Sequence, residues 1–189
     1  MGKSGAGKTT LLQILGTLDR ADEGTVRYDQ TEVSKFSDKQ ISLFRNENIG
    51  FIFQFHHLLN EFNALENVCI PAFIGGKNRT PTEKRAKELL DYLGLKDRMT
   101  HKPSELSGGE QQRVAIARSL INTPRVVLAD EPTGNLDTTT SDDIHQLIFE
   151  LRRDMQQTFV IVTHNEELAL RCDRTLFMAD GLIVDKISG

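Results

Sequence analysis

The chain has 189 residues, 38% hydrophobic and 26% charged, and 23 basic against 27 acidic side chains give a formal net charge of −4. That length suits one domain or a core with one inserted subdomain, and the composition excludes wholesale disorder and fibrous repeats. The mild acidity argues against a general nucleic-acid binder, and runs such as Val126 to Ala129 and Phe159 to Val162 fall far short of the roughly 20 apolar residues of a spanning helix.

In chain order, Lys8 to Leu18 reads as a helix and Ile49 to Phe53 as a strand. Thr82 to Leu93 is a second helix, with Pro81 at its start and Gly94 as its stop signal. A helix over Gly109 to Ile121 and a strand over Arg125 to Ala129 follow. Ser141 to Met155 places Ile144, Leu147, Ile148, Leu151 and Met155 on one face, which predicts a helix packed on the core. Thr158 to Val162 is the next strand. Arg174 to Met178 and Leu182 to Ile187, joined by Asp180-Gly181, predict an antiparallel hairpin at the sheet edge. Most of the strands are continuously apolar, so the expected fold is α/β with a mainly parallel sheet covered on both faces. Residues from about 64 to 122 read as a helical subdomain inserted in that core. No secretory signal follows Met1, so a cytosolic chain is expected. Cys69 and Cys172 stand apart with no metal-ligand spacing, which predicts ordinary thiols.

Gly2-Lys3-Ser4-Gly5-Ala6-Gly7-Lys8-Thr9 fits G-x-x-x-x-G-K-[ST] and runs into the helical stretch beginning at Thr10. Glycines let backbone N–H groups converge on phosphate oxygens, and the helix start adds a favourable dipole. Lys8 is expected to reach the β and γ phosphates, and Thr9 to offer its hydroxyl to Mg²⁺. Val126 to Ala129 ends in Asp130-Glu131. Two successive acids at a strand end point one of them toward a ligand, with Asp130 placed for a metal's water shell and Glu131 for a water that attacks phosphate. Ser107-Gly108-Gly109-Glu110 reads as a capping box, and its bare glycine backbone is also a second place for a phosphate, one explained if the nucleotide is held by another subunit. His164 and Gln54 each follow a strand and are ambiguous by themselves. His56-His57 carries no further ligand cluster, so a metal is not expected there.

This set, in this order with Asn135-Leu136-Asp137, resembles the nucleotide-binding domain of ABC ATPases, a RecA-like P-loop NTPase fold. The resemblance makes Gly2 to Thr9 the phosphate loop, with Thr10 beside it, Gln54 the Q-loop glutamine and a metal contact, and Ser107 to Glu110 the signature motif. It makes Asp130 the metal-binding aspartate, Glu131 the catalytic glutamate, Asp137 the D-loop aspartate and His164 the switch histidine. It implies ATP and Mg²⁺, a head-to-tail homodimer in which each ATP meets the partner's signature motif, and no nucleic acid. The segments Ile49 to Leu59, Ala64 to Val68 and Gly134 to Asp137 are similar to the bacterial ATPases that extract lipoproteins from the inner membrane, a group shared with macrolide exporters and a cell-division ATPase; these two and a non-transport ABC ATPase are the alternative readings. That likeness implies separate membrane-spanning permease subunits docking just after Gln54, with the ATPase peripheral on the cytoplasmic face of the inner membrane. Only Met1 precedes Gly2, whereas the family's phosphate loop hangs from a buried strand. The expectation is therefore a single ABC ATPase domain over residues 1–189 that lacks its N-terminal strands and the adenine-stacking aromatic.

Overall fold

The computed structural model of the chain describes residues 1–3 and 5–184. After the glycine-rich loop comes α1 (Lys8–Leu15), then a small antiparallel hairpin of β1 (Arg27–Tyr28) and β2 (Thr31–Glu32). Next are α2 (Asp38–Asn48), β3 (Ile49–Ile52), α3 (Ala64–Ile74), α4 (Arg79–Tyr92) and α5 (Gly108–Leu120). The chain continues through β4 (Val126–Asp130), α6 (Thr138–Met155), β5 (Thr158–Val162), α7 (Glu166–Arg171), β6 (Phe177–Ala179) and β7 (Leu182–Val184).

The branched apolar runs form a three-stranded parallel sheet in the order β3-β4-β5. Because side chains alternate along a strand, β4 sends Val127 and Ala129 to one face and Val126 and Leu128 to the other. The first face packs against buried residues of α3, α4, α5 and α6, including Leu90, Ile116, Ile144 and Leu151. The second meets Leu12 of α1, with Leu15, Tyr28, Phe44 and Phe51 around it. As expected, Ile144, Leu147, Ile148 and Leu151 form the buried stripe of α6, whereas Met155 at its end is exposed.

Several boundaries differ from the expectation, each for a local reason. α1 stops at Leu15 because Gly16 caps it and Thr17 turns left-handed at φ +58°. α4 begins at Arg79, so Pro81 lies inside the first turn, where a missing N–H costs nothing. α6 begins at Thr138 because Asp137 caps it. β6 starts at Phe177 and not at Arg174, and the expected residues 185–187 of β7 lie outside the described part. The Asp180-Gly181 turn is present, with φ of +49° and +80°. Its hairpin is not an edge of the parallel sheet: among the described residues β6 pairs with β7, and Met178 N–H donates to Met1 O at 2.7 Å.

β5 also departs from a doubly covered strand, since Thr158 and Val160 are exposed. A groove of about 790 Å³ runs between it, α1 and β6, lined in part by Leu11, Leu15, Val160 and Met178. No helix of the described residues is long and apolar enough to cross a membrane.

Candidate functional site

The phosphate loop is shaped by its glycines. Gly7 has φ +89° and stands at the N-cap of α1 without any side-chain cap, a conformation that costs L-residues with a Cβ. The first N–H groups of α1 are therefore left without a side-chain cap, as an anion site requires. Gly181 N–H donates to Ala6 O at 3.2 Å, which ties the loop to the turn between β6 and β7. Lys8 bends over the loop, its Nζ donating to Gly2 O at 2.7 Å and Lys3 O at 2.9 Å. Thr9 and Thr10 are exposed in the first turn of α1, and Gly5 is exposed in the loop. Ser4 lies outside the described residues.

The parallel register brings the acids to this loop. Asp130 pairs with Val162, so the ends of β4 and β5 lie side by side, and the residues just beyond them meet. Thr9 hydroxyl donates to Asp130 Oδ1 at 3.3 Å. Burial, the neighbouring Glu131 carboxylate adding to it, pushes the Asp130 carboxyl above its ordinary range, while Thr9 and Lys8 oppose the shift. Glu131 itself is left-handed at φ +44°, a state that costs roughly 1–3 kcal/mol and persists only when its surroundings fix it. Its N–H donates to Val162 O at 2.9 Å and its carbonyl accepts from Gly134 N–H at 3.0 Å. That twist aims the carboxylate at His164, whose Nδ1–H donates to Glu131 Oε1 at 2.9 Å. The imidazole is otherwise largely exposed.

The raised Asp130 pKa has a stability consequence. A carboxyl with a folded pKa above its unfolded 3.8 costs stability at pH values above the folded pKa, and that cost disappears below 3.8. Asp130→Asn is therefore expected to melt higher than the wild type at neutral pH in the absence of nucleotide, with the difference fading in acid. Thermal denaturation at the two pH values tests this, and an equal or lower melting point at neutral pH would contradict it.

Among the described residues no hydrogen bond joins Thr9 or Asp130 to Gln54. Its Nε2 donates to Asn135 Oδ1 and its own carbonyl accepts from Asn135 Nδ2, both at 3.1 Å, so the segment after β3 is clasped to the turn after β4. Beyond Gln54, Phe55, Leu59 and Phe62 are exposed apolar side chains. The loop that presents them is fastened by Asn67, which is fully buried. Asn67 Oδ1 accepts from Leu59 N–H, and its Nδ2 donates to the carbonyls of Leu59, Phe62 and Asn63. Asp137 acts as the N-cap of α6, accepting from both the N–H and the hydroxyl of Thr140, and these bonds hold its carboxyl below the ordinary range.

Ser107 to Glu110 form the capping box expected of them. Ser107 Oγ accepts from Glu110 N–H at 3.2 Å, and Glu110 Oε2 accepts from Ser107 N–H at 2.8 Å. Arg98 donates to the other Glu110 oxygen at 2.9 Å, and together these bonds lower the Glu110 pKa. A Cβ at Gly109 would come within 2.6 Å of Thr140 Cγ2, so this glycine also lets α5 approach α6. Among the described residues no hydrogen bond joins Ser107–Glu110 to the phosphate loop of the same chain. His56 and His57 diverge, one bonding Gln112 and the other packing edge-on to Phe53. Asn135, Asn67 and Gln112 make hydrogen bonds that hold these segments together, although the motifs that contain them give none of the three a role. The available signal is a polar residue inside an otherwise apolar helical face, which Asn67 and Gln112 both show.

A parallel sheet whose strand ends set an Asp-Glu pair and a histidine against a glycine-rich loop opening a helix defines a P-loop nucleotide-binding domain. Residues 1–134 match the ABC transporter family, and the chain belongs to that family. It is 62% identical over 183 residues to the lipoprotein-releasing system ATP-binding protein LolD of Bacteroides thetaiotaomicron, covering 97% of this chain and 84% of the relative. The protein of the same name from Cytophaga hutchinsonii is 60% identical, again over 97% of this chain and 84% of the relative. Among solved structures, a dimeric ATP-binding cassette in a post-hydrolysis state with ADP and Pi superposes with a TM-score of 0.87 at 40% identity, over 100% of this chain and 84% of that one.

Proposed function

We propose that the chain is the ATP-hydrolysing subunit of an ABC transporter that releases lipoproteins from the bacterial inner membrane. The observation that carries this reading is the 62% identity to a lipoprotein-releasing ATP-binding protein across nearly the whole chain. The grouping of Lys8, Thr9, Asp130, Glu131 and His164 at one end of the sheet supports it.

Phosphoryl transfer asks little covalent work of a protein, so catalysis rests on position and charge. Lys8 and the first N–H groups of α1 hold the β and γ phosphates. The converging hydroxyl and carboxylate of Thr9 and Asp130 form an all-oxygen pair that suits a hard divalent cation, and positive charge there favours the ionised form that burial opposes. Bound Mg²⁺ supplies charge neutralisation on the transferring group. Glu131 accepts the proton of the attacking water, and His164 orients that carboxylate. Ser107 to Gly109 act on the nucleotide of a second copy, consistent with their separation from the phosphate loop of their own chain, and Asp137 stands at the dimer seam. Residues from about 64 to 122 form the helical subdomain. Separate membrane subunits meet the exposed face at Phe55, Leu59 and Phe62, which keeps the chain peripheral on the cytoplasmic side.

Affinity purification of the tagged chain from detergent-solubilised inner membranes tests this reading. Multi-span membrane proteins are expected in the eluate, together with lipoprotein release that requires ATP. Recovery with ribosomes or DNA and no membrane protein would overturn it.

A further inference from the structure

The turn that carries Glu131 is held from a distance. Gln112, on α5 five residues after Ser107, is fully buried, and its Nε2 donates to Pro132 O at 2.6 Å. With the amide nitrogen committed to that carbonyl, the amide oxygen faces His56, 2.5 Å from its Nδ1. An amide oxygen only accepts, so the imidazole must carry its proton on Nδ1. The polarity of the chain of bonds is thereby fixed: His56 Nδ1–H to Gln112 Oε1, then Gln112 Nε2–H to Pro132 O. The same helix grips the same loop a second time, because Arg118 donates to His57 O and His56 O at 2.7 Å each. Thr133, one residue further along the turn, hydrogen-bonds His145 of α6 at 3.0 Å.

We infer that Gln112, set by His56, is a positioning residue for Glu131, linking the exposed segment after Gln54 to the reacting carboxylate through the helix that carries the Ser107 cap. Neither side chain bonds the phosphate loop. Their effect passes through the Pro132 carbonyl, which adjoins the one left-handed residue on which the direction of the carboxylate depends. The inference rests on the assignment of Glu131 as the proton acceptor. It separates the segment's mechanical link to catalysis from the link made by Gln54, which is bonded to Asn135 on the far side of the same turn.

The test is steady-state ATP hydrolysis by the full chain carrying His56→Ala, His56→Asn or Gln112→Met, each checked for folding by circular dichroism and for affinity with a fluorescent ATP analogue. His56→Ala and Gln112→Met are expected to lower kcat by roughly tenfold to 10²-fold, the scale of a small misplacement of a reacting group, with KM held within about twofold. His56→Asn offers an N–H close to the Nδ1 position and is expected to restore most of kcat. Unchanged kcat in folded His56→Ala, or no recovery with asparagine, would overturn the inference even if Gln112→Met fails to fold. Glu131→Gln, run alongside, separates the two failures: full turnover in that variant would remove the assignment of Glu131, whereas loss of turnover there with wild-type kcat in His56→Ala would remove only the positioning role.

Discussion

Replacing Glu131 by glutamine is expected to reduce ATP turnover by about 10²–10⁴-fold, the usual contribution of a general base, while nucleotide still binds. Glutamine keeps the size of the side chain and an oxygen able to accept from His164 Nδ1, so the 2.9 Å contact and the left-handed backbone need not change. What is lost is the capacity to take a proton from water. The defect should therefore appear in kcat with little change in KM, the signature of an interaction made only in the transition state. Because ATP then persists, a two-nucleotide dimer should accumulate. Size-exclusion chromatography in ATP and Mg²⁺ reads it directly, and a folded variant that elutes only as monomer would deprive Glu131 of its role.

Lys8→Ala acts at the other end of the site and should fail earlier, at binding. Truncating one partner of a hydrogen-bonded charge pair costs about 2–5 kcal/mol, which corresponds to a rise of roughly 30-fold to several thousand-fold in Kd for ATP. The loop also loses its own clasp, since Lys8 Nζ is the donor to both Gly2 O and Lys3 O. Equilibrium binding of a fluorescent ATP analogue is the appropriate measurement. Wild-type affinity would show that the N–H groups of α1 suffice and that Lys8 acts only later.

The chemistry was legible in the sequence because it stands where regular patterns stop. Val126 to Ala129 runs out into two acids, and the β-branched run ending at Val162 is followed closely by His164, so a reader of strand periodicity meets both groups at the same end of a parallel sheet. The helix stripe of α6 was equally plain. Elements with weaker patterns were not. α2 has the Ser37 and Gln40 signature of a capping box, yet it buries no residue fully, so the apolar stripe that marks the other helices is missing. α7 is six residues long, too short to show a period, and β1 and β2 have two residues each. The support of the site lay further out of reach. Gln112 finds its partners 56 and 20 residues away, and the bond from Gln54 to Asn135 spans 81 positions. Contacts of that span follow from the folded topology and leave no local trace, save that a polar side chain interrupts an apolar face.

Asn67 gives the segment after Gln54 an unusual mechanical character. Hydrogen bonds between one buried amide and the backbone of Leu59, Phe62 and Asn63 close the loop on itself, so Phe62 and Leu59 project from a platform that is already ordered before anything touches it. Ordering a flexible loop during association costs roughly 0.5–1.5 kcal/mol for each side chain immobilised. Here much of that entropy is surrendered during folding of the chain itself. A push applied to the loop is then passed on as rigid displacement instead of being absorbed as local disorder.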